Sequence, residues 1–340
     1  MTVRPETRKA ESAPPAAPDT YELDPSEIES IASLLAELRR AAAVWDENAL
    51  IQAAHIHGGL LPKRLLCVLS DFRRFGNAEG VLTLRNLPVA EELPPTPSTP
   101  ESVADSCTPS VAALLLVMSR LGDPIAYAEE KHGALVHDIC PMPGEEDQQQ
   151  NTGSVYFKLH SENAFLEHRP DFIGLLCLRE DHDRLAASIT SSIRQALPLL
   201  ADGQVTVLRE SRFRTRLAPS FCRDGREQVY LPPVPVLSGS EWAPKLCVDF
   251  DDTAPCDEVA RTAFDALHEA LQKVRREVVL RPGDLSIVDN TTAVHGRGAF
   301  TPKYDGKDRW LQRLFVVTSI RSALGQIEPG SVYRYSTAAQ

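Results

Sequence analysis

The sequence lacks the features that mark membrane, extracellular and nucleic-acid-binding proteins. No apolar run reaches the ~18–20 residues that a membrane-spanning helix requires. The seven cysteines include no C-x-x-C pair, and several lie inside apolar runs, as is typical of reduced, buried thiols. Positive charge is scarce, because 36 Lys and Arg residues accompany 47 Asp and Glu residues, for a formal net charge of −11. We therefore expect a cytoplasmic protein with no membrane or nucleic-acid partner, whose acidity suits a small cationic substrate.

What is present is an ordinary globular composition, with 43% hydrophobic and 24% charged residues in a chain of 340. That length suits one large domain with elaborations. Residues 1–22 have no apolar signal core and predict a disordered leader, followed by a single domain over 23–325 and a tail over 326–340. Helical periodicity predicts an N-terminal elaboration over 23–79, ahead of a core over 80–320.

The predicted core consists of many short strands and a few longer helices. Leu185–Leu200 is interpreted as a helix and Gln204–Arg209 as a strand. Short strands with two or three helices outside them predict a mainly β, α+β fold with a β-sandwich or jelly-roll core. The other main elements are predicted as strands at Val155–Leu159, Phe172–Leu178, Asp284–Asp289 and Trp310–Ser319 and as a helix at Pro255–Glu277.

A polar break between two of these strands carries an H-x-E motif, His160-Ser161-Glu162. On an extended backbone the side chains of His160 and Glu162 leave the same face, so both can reach one point. A third ligand is available in His295, which follows a predicted strand. Two His and one carboxylate with open positions opposite form the facial triad of non-heme Fe(II) oxygenases. A zinc hydrolase uses the same ligand set, and an isolated H-x-E is more often a surface His beside a capping Glu.

Two arginines favour the iron oxygenase. Arg309 and Arg313 are four residues apart in a segment that is otherwise apolar and strand-like, so they share a face. The planar guanidinium group binds carboxylates through two parallel hydrogen bonds. Two inward-facing arginines near a metal therefore imply two carboxylates, one from a co-substrate and one from a substrate. The alternative, a solvated face, fits the apolar neighbours less well.

Four motifs together carry a resemblance to a known family. They are H-S-E-N-A-F at 160–165, H-R-P-D at 168–171, L-L-C-L-R at 175–179 and H-G-R at 295–297. This set resembles the clavaminate synthase-like family of Fe(II)- and 2-oxoglutarate-dependent oxygenases, with similarity over roughly 80–319. The family includes asparagine and arginine hydroxylases of peptide-antibiotic pathways. The resemblance implies a double-stranded β-helix (cupin-like) core and the use of Fe(II), 2-oxoglutarate and O₂.

The resemblance also implies which residues bind the metal and the co-substrate. His160, Glu162 and His295 match the iron ligands of the family. Arg309 matches the arginine that binds the far carboxylate of 2-oxoglutarate. Ser188 falls where the family often has a threonine that assists this arginine, and serine keeps the hydroxyl group.

Further positions match the residues that bind the amino acid substrate. Arg313 would hold the α-carboxylate, and either Glu129 or Glu130 would hold the α-ammonium group. Asp249 falls where the family reads the substrate side chain, and Asp251, two residues on, shares its face. An acidic residue there accompanies a guanidinium side chain, so the pair predicts arginine or another basic amino acid. An acidic turn is the alternative interpretation.

The segment 213–231 is expected to form a lid over the substrate that excludes water. Its first part is basic and irregular, as is typical of a mobile loop. The candidate lid residues are Phe213, Arg214 and Arg216.

The sequence thus predicts a monomeric or homodimeric enzyme of natural-product biosynthesis that hydroxylates a free L-amino acid at C3. Two alternatives keep the chemistry but change the substrate. One is an amino acid tethered to a carrier protein, for which Arg313 would be dispensable, and the other is a neutral amino acid such as asparagine or citrulline. A third alternative, from another functional class, is a cupin-like binding protein without turnover.

Overall fold

The chain folds as two facing β-sheets flanked by helices. The computed structural model describes residues 16–42, 46–89, 92–99, 102, 104, 108–222 and 229–336. Most of the expected leader, part of the expected lid (223–228) and the last four residues of the expected tail lie outside these ranges. No helix within the described ranges is both long and apolar enough to cross a membrane.

The helices surround the sheets, and several begin at side chains that cap the first turn. The Asp46 carboxylate accepts a hydrogen bond from the backbone N–H of Ala49 (2.8 Å), and the Asp257 carboxylate accepts one from Ala260 (2.9 Å). Such caps satisfy N–H groups that the helix itself leaves unpaired. The helices are α1 Pro25–Ala42, α2 Glu47–Gly58, α3 Lys63–Phe75, α4 Pro109–Met118, α5 Ile193–Ala196, α6 Asp202–Leu208 and α7 Glu258–Val274.

The strands are short, as expected for a jelly roll. They are β1 Thr20–Glu22, β2 Val81–Arg85, β3 Asp123–Tyr127, β4 Val136–Ile139, β5 Phe157–His160, β6 Phe172–Arg179, β7 Ser188–Ser192, β8 Phe213–Thr215, β9 Leu237–Gly239, β10 Pro244–Leu246, β11 Thr253–Pro255, β12 Arg276–Val278, β13 Leu285–Asp289, β14 Ala293–Arg297, β15 Trp310–Val317 and β16 Arg334–Tyr335.

The larger sheet has eight strands in the order β1-β2-β13-β6-β15-β3-β16, with β4 also paired to β15. One face of this sheet packs against α1 to α4 in the largest apolar cluster. Gly174 on β6 makes this packing close, because a Cβ there would lie 2.8 Å from Sδ of Met118 on α4. The helices therefore cover one face, and the other face is left to line the interior between the sheets.

The smaller sheet has four strands in the order β12-β7-β14-β5 and packs against α7 on its outer side. Its central strand β14 pairs with β7 through His295↔Thr190 and Arg297↔Ser188. Gly296 lets β14 approach β5 closely, since a Cβ there would lie 2.5 Å from the carbonyl oxygen of Phe157. The side chains of His295 and Arg297 therefore point together towards the larger sheet.

The expected jelly-roll core with flanking helices is confirmed, but some predicted elements have the wrong type. Ser188–Ser192 is a buried strand and not part of a helix, because it pairs with both β12 and β14. The predicted strand Gln204–Arg209 is helix α6, whose Gln204 side chain accepts the N–H of Ala201 at 2.9 Å. Tertiary pairing outweighed local propensity in the first case, and a capping interaction was overlooked in the second.

The predicted leader and the predicted tail each contain a strand. Thr20–Glu22, inside the expected leader, pairs in parallel with β2, so the leader boundary at residue 22 was placed too late. Arg334–Tyr335, inside the expected tail, pairs in parallel with β3. The larger sheet thus extends beyond the predicted limits of the domain at both ends.

Candidate active site

Three side chains from two strands of the smaller sheet and the segment after one of them form a cluster that could hold a metal ion. His160 ends β5, Glu162 follows it, and His295 lies opposite His160 on β14. One donor atom from each of the three lies within 4.8 Å of the others, and Nε2 of His295 is 3.3 Å from Oε2 of Glu162. Each side chain is less than a tenth exposed. Two imidazoles and a carboxylate in this arrangement fit the facial triad.

The two imidazoles are suited to bind a metal as neutral ligands. Nδ1 of His160 lies 2.9 Å from the carbonyl oxygen of Lys158, so Nδ1 carries the proton and Nε2 offers its lone pair. Burial, together with the neighbouring His160, lowers the pKa of His295 to about 4. The His295 ring is therefore uncharged at neutral pH, as a metal ligand must be.

Glu162 is held in place through both its backbone and its carboxylate. The buried side chain of Asn290 accepts the N–H of Glu162 (2.7 Å) and donates to its carbonyl oxygen (3.1 Å). Oε1 of Glu162 accepts a hydrogen bond from Nη1 of Arg313 at 2.7 Å. Burial alone would raise the pKa of this carboxyl, but the charge of Arg313 and the bond to His295 lower it below the ordinary value. Glu162 is therefore ionised.

Arg313 links Glu162 to a second buried carboxylate. Nη2 of Arg313 donates to Oε2 of Glu130 (2.9 Å) and to Nδ1 of His137 (2.8 Å). The other oxygen of Glu130 accepts a hydrogen bond from Asn163 at 3.0 Å. Burial raises the pKa of Glu130 in spite of Arg313, and burial and Arg313 lower the pKa of His137 to about 3. Of the two glutamates that the sequence left open, Glu130 is the one that contacts Arg313.

Two further buried arginines, Arg297 and Arg309, lie between the sheets. Arg309, directly before β15, is 6% exposed, and Arg297 on β14 is 4% exposed. Burial, followed by the charge of Arg309, lowers the pKa of Arg297 to about 9, and burial also lowers the pKa of Arg309. Ser188 lies directly across from Arg297 on β7. Neither guanidinium forms an ion pair with a carboxylate of a described residue, so together with the Ser188 hydroxyl they fit an anion.

The aspartates of the acidic loop after β10, residues 249–252, have different partners. Asp249 forms a β-bridge with His160, and its Oδ1 accepts the N–H groups of Asp251 (2.7 Å) and Asp252 (3.2 Å). Burial raises the pKa of Asp249. Asp251 instead pairs with Nζ of Lys158 at 2.5 Å. The two aspartates that the sequence analysis treated as a pair are therefore separated, and only Asp249 has an oxygen, Oδ2, without a partner among the described residues.

The three candidate lid residues also differ in their surroundings. Phe213 is fully buried and stacks on Phe264 of α7, so it belongs to the core and not to a mobile surface. This corrects the lid assignment of Phe213. The Arg214 guanidinium lies 5.3 Å from the ring of Tyr230, and Arg216 binds Asp252 through Nε at 2.8 Å. Arg216 is thus the candidate that connects this segment to the loop carrying Asp249.

Sequence reasoning missed four side chains that the structure brings to the site. They are His137, Asn163, Asn290 and Arg297. The sequence spacing could have identified Arg297, because it lies two residues after His295 and must share its face if both are on a strand. Asn163 directly follows Glu162, but nothing in the sequence indicates its contact with Glu130. His137 and Asn290 reach the site from distant segments, and no spacing within the sequence indicates their contacts.

Comparison with known proteins agrees with this geometry. Residues 224–315 match the family described as "Taurine catabolism dioxygenase TauD, TfdA family". The chain is 41% identical over 333 residues to L-asparagine oxygenase of Streptomyces coelicolor, covering 97% of this chain and 99% of that protein. It is 33% identical over 294 residues to clavaminate synthase 2 of Streptomyces clavuligerus, covering 86% and 89%.

Solved structures give the same result. Asparagine oxygenase in complex with Fe(II), (2S,3S)-3-hydroxyasparagine and succinate superposes with a TM-score of 0.89 at 40% identity, covering 94% of this chain and 99% of that chain. The non-heme iron oxygenase OrfP in complex with Fe and α-ketoglutaric acid gives a TM-score of 0.80 at 30% identity, covering 91% and 97%. Both proteins are similar to this chain over nearly their whole length.

Proposed function

Because the chain belongs to the clavaminate synthase-like family of Fe(II)- and 2-oxoglutarate-dependent oxygenases, we propose that it hydroxylates free L-asparagine at C3. Like its relatives it is a non-heme iron oxygenase of free amino acids that uses Fe(II), 2-oxoglutarate and O₂. The family placement agrees with the expectation from the sequence motifs. The choice of asparagine is our inference and rests on the acidic loop.

The iron ligands in this proposal are His160, Glu162 and His295. Their donor set, their burial and the fixed tautomer of His160 support it. Iron bound with 2-oxoglutarate supplies the oxidising power for a C–H bond, by coupling O₂ reduction to decarboxylation of the keto acid. The residues themselves hold the metal, exclude water and fix the position of the substrate.

The observation that carries the substrate assignment is the ion pair between Asp251 and Lys158. With Asp252 bound to Arg216 as well, Asp249 is the one aspartate of this loop that forms no ion pair with a described residue and can meet a substrate side chain. One oxygen acceptor suits the N–H₂ of a carboxamide, whereas a guanidinium is matched by two parallel acceptors. We therefore favour asparagine over the arginine that an unpaired Asp249 and Asp251 would indicate. The 41% identity to an L-asparagine oxygenase supports the same choice.

The remaining groups assign the two ends of the amino acid. Arg313 would hold the α-carboxylate, exchanging part of its present bonding to Glu162 and Glu130 for the substrate. Glu130, with Asn163 beside it, would hold the α-ammonium group. A free α-carboxylate gives Arg313 a partner, which a carrier-tethered amino acid would not. Arg309 and Ser188 would hold the far carboxylate of 2-oxoglutarate.

A turnover assay over a panel of amino acids tests this proposal. The purified protein, supplied with Fe(II), 2-oxoglutarate and O₂, is expected to release succinate with asparagine and to yield 3-hydroxyasparagine by mass spectrometry and NMR. We expect arginine, ornithine, lysine and citrulline to be at least about tenfold poorer in kcat/KM, a difference of about 1.4 kcal/mol. Faster turnover of arginine or another basic amino acid would contradict the asparagine assignment.

We further propose that the chain acts in the cytoplasm as a monomer or homodimer, in natural-product biosynthesis. The similarity to clavaminate synthase 2 supports the biosynthetic context. We propose a single oxygenase domain, since both sheets surround one interior and the helices over 25–75 pack directly on the larger sheet. Arg216 is the residue we propose to draw the lid segment onto the substrate loop, through its bond to Asp252.

A further inference from the structure

We propose that Arg297 is a second guanidinium for the far carboxylate of 2-oxoglutarate, acting together with Arg309. This deepens the co-substrate site of the proposed function and is independent of which amino acid is hydroxylated. Arg297 and Arg309 are both buried, and no described carboxylate forms an ion pair with either.

The surroundings of Arg297 leave much of its bonding capacity unused. Nη2 donates to the carbonyl oxygen of Val155 at 3.0 Å, while Nε is buried without a hydrogen-bond partner among the described residues. The guanidinium carbon lies 5.1 Å from the ring centre of Phe300 and 5.8 Å from that of Phe157. These rings exclude water from the guanidinium. A buried charge without a counter-ion raises the free energy of the folded protein, so an anion bound beside Arg297 would be stabilising.

Arg309, directly before β15 of the larger sheet, is likewise a buried cation without a counter-ion among the described residues. It is as deeply buried as Arg297. The nearby acid Asp181 is already engaged, because its two oxygens accept the N–H groups of Leu185 (2.8 Å) and Ala186 (3.0 Å). The contrast with Arg313 is clear, since that arginine is bound by two glutamates.

The position of Arg297 matches the length of a five-carbon diacid. Arg297 is two residues beyond His295 on the same face of β14, a step of ~6.6 Å along a strand. It lies opposite Ser188, the hydroxyl expected to assist Arg309. A 2-oxo acid anchored at the metal cluster would therefore direct its far carboxylate towards Arg297, Arg309 and Ser188. Two guanidinium groups would bind that carboxylate more tightly than one.

The test compares two keto acids that differ only at the far end. 2-Oxoglutarate carries a carboxylate there, and 2-oxopentanoate carries a methyl group. Binding of each to the Fe(II)-loaded protein is measured anaerobically by calorimetry, without any amino acid substrate. For Arg297→Gln we expect the Kd of 2-oxoglutarate to rise about 10- to 100-fold, as for loss of a charged hydrogen bond, and the Kd of 2-oxopentanoate to stay unchanged.

Two further variants separate binding from a structural role. Arg194→Gln is a matched control, because Arg194 also donates to backbone carbonyls, those of Phe75 (2.8 Å) and Asn77 (3.0 Å), outside the metal cluster. It should leave both Kd values unchanged. Arg297→Lys keeps the charge, so we expect a loss below about tenfold for 2-oxoglutarate alone, and it serves if the glutamine variant does not fold.

Equal losses for both keto acids would overturn the proposal, because they would mean that Arg297 only supports the fold around the metal cluster. An unchanged Kd for 2-oxoglutarate in Arg297→Gln would overturn it as well. Since no amino acid is present, a failure of the asparagine assignment would leave these measurements unaffected. The two proposals can therefore fail separately.

Discussion

At the scale of single residues, the site is defined by which charges are already paired. Glu162, Glu130 and Arg313 form one buried ionic network, and Asp251 forms an ion pair with Lys158 at the surface of the same region. Asp249, Arg297 and Arg309 form no ion pair with any described residue. Substrates should meet the protein at these groups, because unpaired buried charge is where a ligand contributes most binding energy.

The first prediction separates the two aspartates of the acidic loop. Asp249→Asn keeps Oδ1 as the acceptor of the turn but replaces Oδ2 by a donor, so kcat/KM for asparagine should fall about 10- to 100-fold. Asp251→Asn weakens the contact with the half-exposed Lys158 and a longer one with Arg216 at 4.0 Å, each worth about 0–1 kcal/mol, and should change kcat/KM less than about threefold. Steady-state kinetics on the two variants checks this. Equal effects would mean that the aspartates act as a pair.

The second prediction concerns stability and pH. The pKa of His137 is about 3 in the folded chain and about 6.5 in the unfolded chain, because burial and Arg313 oppose its charge. Below pH 6.5 the unfolded state therefore binds a proton that the folded state does not. The free energy of unfolding should fall as the pH drops from 6.5 towards 3, by up to about 1.4 kcal/mol per pH unit from this residue.

Urea denaturation across this pH range measures the contribution of His137. His137→Asn offers an oxygen acceptor to Arg313 and cannot titrate, so its stability should depend less steeply on pH than that of the wild type. The comparison cancels the contributions of other histidines. Parallel curves for the two proteins would mean that folding does not lower the pKa of His137.

At the scale of secondary-structure elements, the metal cluster depends on how β5 and β14 are joined. The β13–β14 turn contributes Asn290, which is fully buried and binds the backbone of Glu162 on both sides as well as the carbonyl oxygen of Pro170 (2.8 Å). One amide side chain thus fixes the segment after β5 to the strand that carries His295. Elements far apart in sequence are locked in a single geometry.

The third prediction tests this link. Asn290→Ala should weaken Fe(II) binding about 10- to 100-fold, as is usual when a group that orients a metal ligand is removed. Asn77→Ala is the matched control, because Asn77 is also buried and binds the backbone of Pro18 and Val81 elsewhere in the chain. Both variants should lower stability, but only Asn290→Ala should raise the Kd of Fe(II) in a competition titration. Equal metal affinity in the two would refute the role of Asn290.

The success of the sequence predictions also differs by element. The helix predicted at Pro255–Glu277 and the strand predicted at Phe172–Leu178 agree closely with the structure, because their apolar patterns alone indicate what they bury. The serine-rich strand Ser188–Ser192 was not, because only its pairing between β12 and β14 makes it extended. Arg297 was overlooked for a related reason, since its strand β14 was not predicted.

At the scale of the whole molecule, the two sheets place every proposed binding group in one interior. The smaller sheet supplies His160, His295 and Arg297, and the larger sheet supplies Arg313 from β15 and Arg309 directly before it. The sequence motifs indicated this shared interior through the family resemblance. They could not show which charges are paired, because the contacts of Lys158 with Asp251 and of Arg313 with Glu130 depend on the folded geometry.

A single turnover experiment with ¹⁸O₂ tests directly whether this protein hydroxylates asparagine. An asparagine oxygenase that couples decarboxylation to hydroxylation should place one ¹⁸O atom in succinate and one in 3-hydroxyasparagine, in equal amounts, by mass spectrometry. His295→Ala should abolish both products, because it removes one of three metal ligands. Labelled succinate without labelled asparagine, or asparagine that stays unmodified while arginine gains the ¹⁸O atom, would contradict the account.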